Sequence, residues 1–340
     1  MKTQRVDSLD YPTLEPKLSY IGLDSWMNFI HEIYGHPVHR IVVLENDRPL
    51  GALSLLEVKH PIFGHYLATA PFGSYGGFAY ENHEARDLLV DESHRLAKEV
   101  NAEYVSLRFD DTASPPPESW VEQPVYFTYL IDLSAAPDDL MKRFSSDHRN
   151  HIRKSLKKGF SIRFGHLDLL DDAYEAIALS MHELGSPYHS KTYLRKMAEY
   201  LGDTLEFAVA YDAKNRITGG GVFIRQGKTI FNLHANVLRF ARSAYAGEFL
   251  YWSVIEHAIQ KGCTTFDLGR SLVGSGNDIF KSKWAPEKKP LAYWFWLAPE
   301  HDLPSLNQKN PKFQFAIATW KRLPKFIVRP LGPYIIRGLV

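Results

Sequence analysis

Apolar and polar positions recur at two periods along the chain, and the switches between them lay out its elements. DSWMNFIHEIY (24–34) carries apolar residues at helical spacing and predicts a short amphipathic helix capped by Asp24. Residues 39–58 predict a hairpin, two β-rich runs about a polar turn at Asn46-Asp47. A glycine-rich aromatic loop (70–80), a helix (81–100), a strand (103–109), a proline-stiffened connection (114–119) and another strand (125–133) follow. The pattern then predicts one helix over 134–159, with Pro137 in its first turn and Gly159 as its stop, and further helices over 170–184 and 190–201. Residues 205–237 read as three consecutive antiparallel strands turning at Lys214-Asn215 and Gln226-Gly227. A helix (246–261), a short strand (264–269), a loop into a helical turn (274–286) and a last strand (291–298) complete the series.

The order hairpin, loop, helix, short strand occurs twice, and both short strands end in arginine, at Arg108 and Arg270. Two copies of one unit predict an α/β chain with mixed sheets and a duplicated domain, although hairpin-helix-strand also recurs by chance in mixed folds. The expected division is an N-terminal domain over 1–134, a second domain carrying the active site over 135–300, and a basic tail over 301–340.

Composition narrows the field. The chain has 340 residues, 45% hydrophobic and 23% charged, enough for two packed cores. A net charge of +1 provides no global pull toward nucleic acid or anionic lipid. Cys263 is the only cysteine, so no intrachain disulfide can form, and a reducing compartment is expected. The first residues lack an apolar core of signal-peptide type, and no apolar run approaches the roughly 18 residues that span a bilayer. The cytoplasm is therefore the expected location. After Asp302 the chain has no acidic residue but carries Lys309, Lys312, Lys321, Arg322, Lys325, Arg329 and Arg337 among Phe, Ile and Trp. That composition suits peripheral contact with the inner membrane face through 309–340. Pro324, Pro330 and Pro333 are expected to exclude a continuous helix there.

The candidate chemistry concentrates after the 264–269 strand. Asp267, Arg270 and Ser271 stand at its end, Gly274 and Gly276 form a turn that lets backbone amides approach a ligand, and Phe280-Lys281 follow. A forked donor, a point-charge donor and amides together suit a phosphate or a developing oxyanion. His182, His189 and His234 titrate in a useful range, although a lone strand histidine is more often a core residue. Tyr188 and His189 occupy a turn between helices, a place for a lid or for ordinary loop packing. Arg149 and Arg153, with Lys154, Lys157 and Lys158, form a basic helical stripe that could bind polyphosphate, lipid headgroups or RNA or simply be solvated. No metal-ligand spacing occurs.

FDLGRS (266–271), Phe280-Lys281, the tryptophan after them and Pro290-Leu291 resemble the closing signature of Fem-type transferases. HRNHIRKSLKKG (148–159), LGSPYHS (184–190) and the tail NPKFQFAIATWKRLPKF are similar too, the tail most of all to the subgroup encoded with exopolysaccharide and exosortase systems. The resemblance implies two GNAT-like domains and transfer of an aminoacyl or acyl group to an amine or hydroxyl of a cell-envelope or exopolysaccharide precursor. The implied partners are a glycan or peptide-glycan acceptor and a donor that is either aminoacyl-tRNA or acyl-CoA. Lys281 occupies the position where the family lysine sits against the reacting group; Arg270 would assist it, and His234 or Asp267 would move the proton. Two features depart from the family: no long coiled-coil arm interrupts the second domain, and His234 stands where a tyrosine is common. VLRFARSAYAG (237–247) lacks the usual coenzyme A loop spacing, leaving Arg242 for a looser anion site. An acetyl-CoA-dependent sugar acetyltransferase and a non-catalytic scaffold of the same fold remain the alternatives.

Overall fold

The computed structural model describes residues 1–14, 17–110, 112, 115–123, 126–303 and 311–340, the side chains of 311–313 excepted. The chain forms two compact units, Met1–Phe127 with Lys289–Ser305 and Arg337–Val340, and Thr128–Lys288 with Leu306–Ile336.

In the first unit the Asn46-Asp47 turn is set by local conformation. Both residues are left-handed (φ 49° and 64°), which Asn and Asp tolerate and a twisted hairpin favours. The sheet runs Lys2–Val6, Val38–Glu45, Arg48–His60, Gly64–Ala68, Tyr104–Phe109, Ala292–Leu297, Trp120–Glu122. Its parallel pairing covers only Tyr66↔Tyr104, Leu67↔Val105 and Ala68↔Ser106. Helix His83–Val100 covers one face, packing Ala85, Leu89 and Leu96 into a core with Val105, Leu107 and Trp294. The helix Asp24–Tyr34 is present, but Asp24 is its first residue and not its cap. Its carboxylate instead accepts the Leu9 amide at 2.8 Å and pairs with the Arg40 guanidinium.

The second unit repeats that order. Its sheet runs Ser161–Gly165, Leu205–Tyr211, Ile217–Gln226, Thr229–Val237, Thr265–Asp267, Tyr126–Asp132, Ser271–Leu272. In each sheet, therefore, the short parallel strand is flanked by an antiparallel strand from a distant part of the sequence, Ala292–Leu297 in the first and Tyr126–Asp132 in the second. The expected division at 134/135 grouped these two strands the other way round. A strand's apolar pattern reports that it is buried and not which sheet edge it completes.

The triple glycine 219–221 lets both faces of the second sheet pack closely. A Cβ on Gly220 would meet Ala176 Cβ of helix Leu170–Leu184 at 3.0 Å, and one on Gly221 would meet the His234 carbonyl at 2.7 Å. On the opposite face Phe223 meets Phe266, which meets Tyr251 of helix Ala246–Gln260.

Two further expectations are corrected. The helix expected over 134–159 is two helices, Pro137–Arg143 and Ser146–Leu156. Phe144 is extended and buried between them, and the Ser145 hydroxyl accepts the His148 amide at 3.2 Å, so a capping serine restarts the helix. In the tail, Lys325–Ile336 is helical with Pro330 and Pro333 inside it. Packing offsets the missing amides: Val328 and Gly332 are buried, and a Cβ on Gly332 would lie 2.6 Å from the Tyr188 carbonyl. Residues 309 and 310 of the expected interfacial segment lie outside the described residues. Among the described residues no helix is long and apolar enough to cross a membrane.

Gly220→Val should lower unfolding stability by about 1–3 kcal/mol, because the added atoms meet Ala176 and the Ala208 carbonyl. Urea titration against the parent protein measures it.

Candidate active site

In the second unit Thr229↔Thr265, Ile230↔Phe266 and Phe231↔Asp267 are the extent of the parallel ladder, and the longer strand continues to Val237. Beyond Phe231 the two strands part. The Asn232 side-chain amide stands in the opening, donating to the Tyr251 hydroxyl at 2.9 Å and lying 3.5 Å from the Leu268 carbonyl. The register also slips here, since Phe223 faces Asn232 and Val222 faces His234, leaving Leu233 as a bulge. The extra residue reverses the alternation. His234 consequently faces the helix Leu170–Leu184 side, whereas Asn232 faces helix Ala246–Gln260.

The strand end Thr265–Asp267 is organised by its carboxylate. Buried Asp267 accepts the Thr128 hydroxyl at 2.5 Å and the Gly269 amide at 2.7 Å. Gly269 is left-handed (φ 73°), and its carbonyl and that of Arg270 accept from Lys281 Nζ at 2.8 and 2.9 Å. Lys281 is buried on the short helix Gly276–Ser282, with its ammonium 5.5 Å from the Tyr129 ring centre. Burial pushes its pKa down to about 7; Arg270 pushes the same way, and Asp267 and Asp278 oppose. Arg270 is half-buried, so the two cations share one electrostatic environment. The Ser271 hydroxyl is buried with no hydrogen-bond partner.

Asp278 is the residue on which this loop converges, and the sequence reading missed it. It accepts from Tyr129 Oη at 2.8 Å, Lys288 Nζ at 2.9 Å, Ser282 Oγ at 3.0 Å and the Gly274 amide at 2.8 Å. The Lys288 hydrogen bond first, then the Gly274 amide and Tyr129, hold its carboxyl well below the usual range. Burial and this carboxylate push the Tyr129 phenol up. The signal was present as Ser275-x-x-Asp278, a capping pattern in which Ser275 accepts the Asp278 amide at 3.2 Å. Gly274 is left-handed (φ 75°), while a Cβ on Gly276 would meet nothing within 4 Å, so that glycine is not required by crowding. Phe280 packs edge-on against Tyr251, ring centres 5.0 Å apart, and belongs to the aromatic layer.

Tyr188, His189 and His234 form a second cluster, on the other face of the sheet. Tyr188 is edge-on to His234 (5.4 Å), and His189 stacks on Tyr193 (3.7 Å). Burial pushes the His234 pKa to about 4 and that of His189 well below the ordinary value, so both rings are neutral near pH 7. His234 Nε2 is buried without a partner. The three arginines take other places. Arg149 donates to the Phe144 carbonyl and so closes the preceding helix. Arg153 is exposed, and exposed Arg242 lies 3.4 Å from the Val237 carbonyl. Where the parallel ladder ends, a buried amine and carboxylate thus lie with the Thr265–Asp267 strand and its turn, and neutral imidazole lies on the other face of the sheet.

Residues 143–282 match the family model of the acetyltransferase (GNAT) domain. No curated protein matches the chain. Among solved structures it is similar to FemX (14% identity over 88% of this chain and 98% of that one, TM-score 0.67). A tandem GNAT protein from the clavulanic acid biosynthesis pathway gives 13% identity over 88% and 99%, TM-score 0.57. The L-PGS of Bacillus licheniformis gives 13% over 91% and 95%, also 0.57. At these identities the likeness establishes the fold, two GNAT-like domains in tandem.

A lysine held near pKa 7 when folded and near 10.5 when unfolded costs stability while it stays charged in the folded protein. The folded protein binds fewer protons than the unfolded chain between those values, so stability should rise with pH from about 7 to 10.5. Lys281→Met should remove that slope, as read from urea midpoints between about pH 6 and pH 10.

Proposed function

We propose that the protein is an acyltransferase whose second unit transfers an aminoacyl or acyl group from an activated ester to an amine or hydroxyl of a cell-envelope or exopolysaccharide precursor. The observation that carries this reading is Lys281, a buried amine hydrogen-bonded to two backbone carbonyls where parallel strands part.

In this reading an extended acyl ester lies where the parallel pairing ends, beside Lys281. An ammonium has three donors; two meet the Gly269 and Arg270 carbonyls, leaving one for the carbonyl oxygen of the ester. Arg270 strengthens the field there, and both cations stabilise the oxyanion of the tetrahedral intermediate. The acceptor's nitrogen or oxygen bonds to the carbonyl carbon, and the ester bond to the ribose oxygen or the thiol sulfur breaks. The acceptor loses one proton and the leaving group gains one. His234, with Nε2 unpartnered on the face opposite Lys281, or a base carried by the substrate receives that proton. Tyr188 and His189 shape that side, and Asp267 acts at one remove by fixing the turn that aims the carbonyls.

The donor is aminoacyl-tRNA or acyl-CoA. The resemblance of FDLGRS and Phe280-Lys281 to the Fem-type signature favours the first. The second keeps exposed Arg242, ahead of helix Ala246–Gln260, as an anion-binding group. In this reading the active residues belong to the 135–300 segment, and exposed Arg153 and Arg242 would meet the donor's phosphates.

Lys281→Ala should lower kcat/KM at least about tenfold without lowering the unfolding midpoint; unchanged turnover removes it from the mechanism. In the parent enzyme kcat/KM should fall as pH rises through about 7, where the ammonium is lost, and the variant should lack this limb. Native mass spectrometry of protein from its own host identifies the donor. Full function in cells after loss of both Arg270 and Lys281 would mean a scaffold instead.

A further inference from the structure

The helix Lys325–Ile336 is apolar on both sides. Its inner side is Val328 and Gly332, buried one turn apart, with Gly332 against the Tyr188 backbone. The outer side repeats at the same spacing, Phe326, Pro330 and Tyr334, with Leu331 beside them. Phe326 is 76% and Tyr334 64% exposed. The two charged residues, Lys325 and Arg329, turn to a flank, where both pair with Glu175. The preceding helix Pro311–Trp320 adds Phe315, 75% exposed, and the joint between the helices presents exposed Lys321 and Arg322.

A surface helix ordinarily turns its polar face to water. This one turns an apolar stripe outward and keeps its cations beside it, the arrangement that suits an interface with apolar matter below and anionic groups around it. We propose that the pair of helices 311–336 is a docking surface for an anionic lipid bilayer, with Phe315, Phe326, Leu331 and Tyr334 entering the headgroup boundary and Lys321 and Arg322 meeting lipid phosphates. Charge complementarity selects this occupant: the sequence from 303 to 340 holds no acidic residue. At 12 residues the helix is too short to span a bilayer and lies along its surface. The same helix packs on the loop that carries Tyr188 and His189, so docking brings that side of the sheet to the lipid face and fits an acceptor held at the membrane. The surface itself stands independently of the acyl-transfer reading.

The test is co-sedimentation of the full chain with vesicles of phosphatidylcholine alone or with about 30% phosphatidylglycerol. Binding to the anionic vesicles should exceed that to the neutral ones at least about tenfold and weaken with salt. Phe326→Ser with Leu331→Ser, and separately Lys321→Glu with Arg322→Glu, should each reduce it about tenfold at an unchanged unfolding midpoint, since these side chains are exposed. Equal binding to both vesicles, or none to either, overturns the proposal. So does a concentration-dependent dimer in light scattering that the Phe326/Leu331 variant abolishes, which would make the stripe a contact between copies of this chain. Turnover is not read, so failure here leaves the acyl-transfer reading untouched.

Discussion

Three residue pairs of parallel ladder hold Thr229–Val237 to Thr265–Asp267, and the second unit is arranged around the point where that ladder stops. Backbone groups released from a sheet still need partners when they are buried. The Gly269 amide finds the Asp267 carboxylate, and the Gly269 and Arg270 carbonyls find Lys281. The amine is therefore buried because the sheet has opened. Its low pKa follows from the same geometry, since two neutral carbonyls replace water without returning the full solvation of an ammonium.

Two lysines near one carboxylate end in different states. Lys288, partly exposed, pairs directly with Asp278 and helps hold it ionised. Lys281 feels Asp278 only at a distance and is governed by burial. Burial therefore brings Lys281 toward neutrality while Asp278 stays ionised. The bulge at Leu233 does comparable work on geometry: one inserted residue sends His234 to the face of Tyr188 and His189, so the strand presents different chemistry on the two sides of the sheet.

Local features were legible in the sequence. The Asn46-Asp47 turn, the helices Asp24–Tyr34 and Leu170–Leu184, and the repeated hairpin-helix-strand order all rest on φ preferences and periodicity, which neighbouring residues determine. What depended on distant partners was not. Nothing in LAYWFWLA says which sheet it joins, and nothing in FNLHAN shows that Leu233 is skipped by the ladder. Phe144 interrupts a helix because an aromatic pocket formed by Trp252 and Trp284 receives it. Pro330 and Pro333 are tolerated because packing outweighs their rule. The site was half legible: Asp267, Arg270 and Lys281 come together as their loop suggested, while Asp278, Tyr129 and Thr128 were hidden because structural and chemical roles look alike until partners are known.

The exchanged strands bear on how the molecule is made. Tyr104–Phe109 must wait for Ala292–Leu297 as its neighbour, more than 180 residues later in synthesis. On the ribosome the first sheet therefore exists for most of translation with a raw edge, the kind of edge that recruits other strands. The second sheet receives Tyr126–Asp132 ahead of its other members and has no such delay. The sheet whose strands are mostly translated last is thus the first able to close, and vectorial synthesis completes the amino-terminal sheet only afterwards.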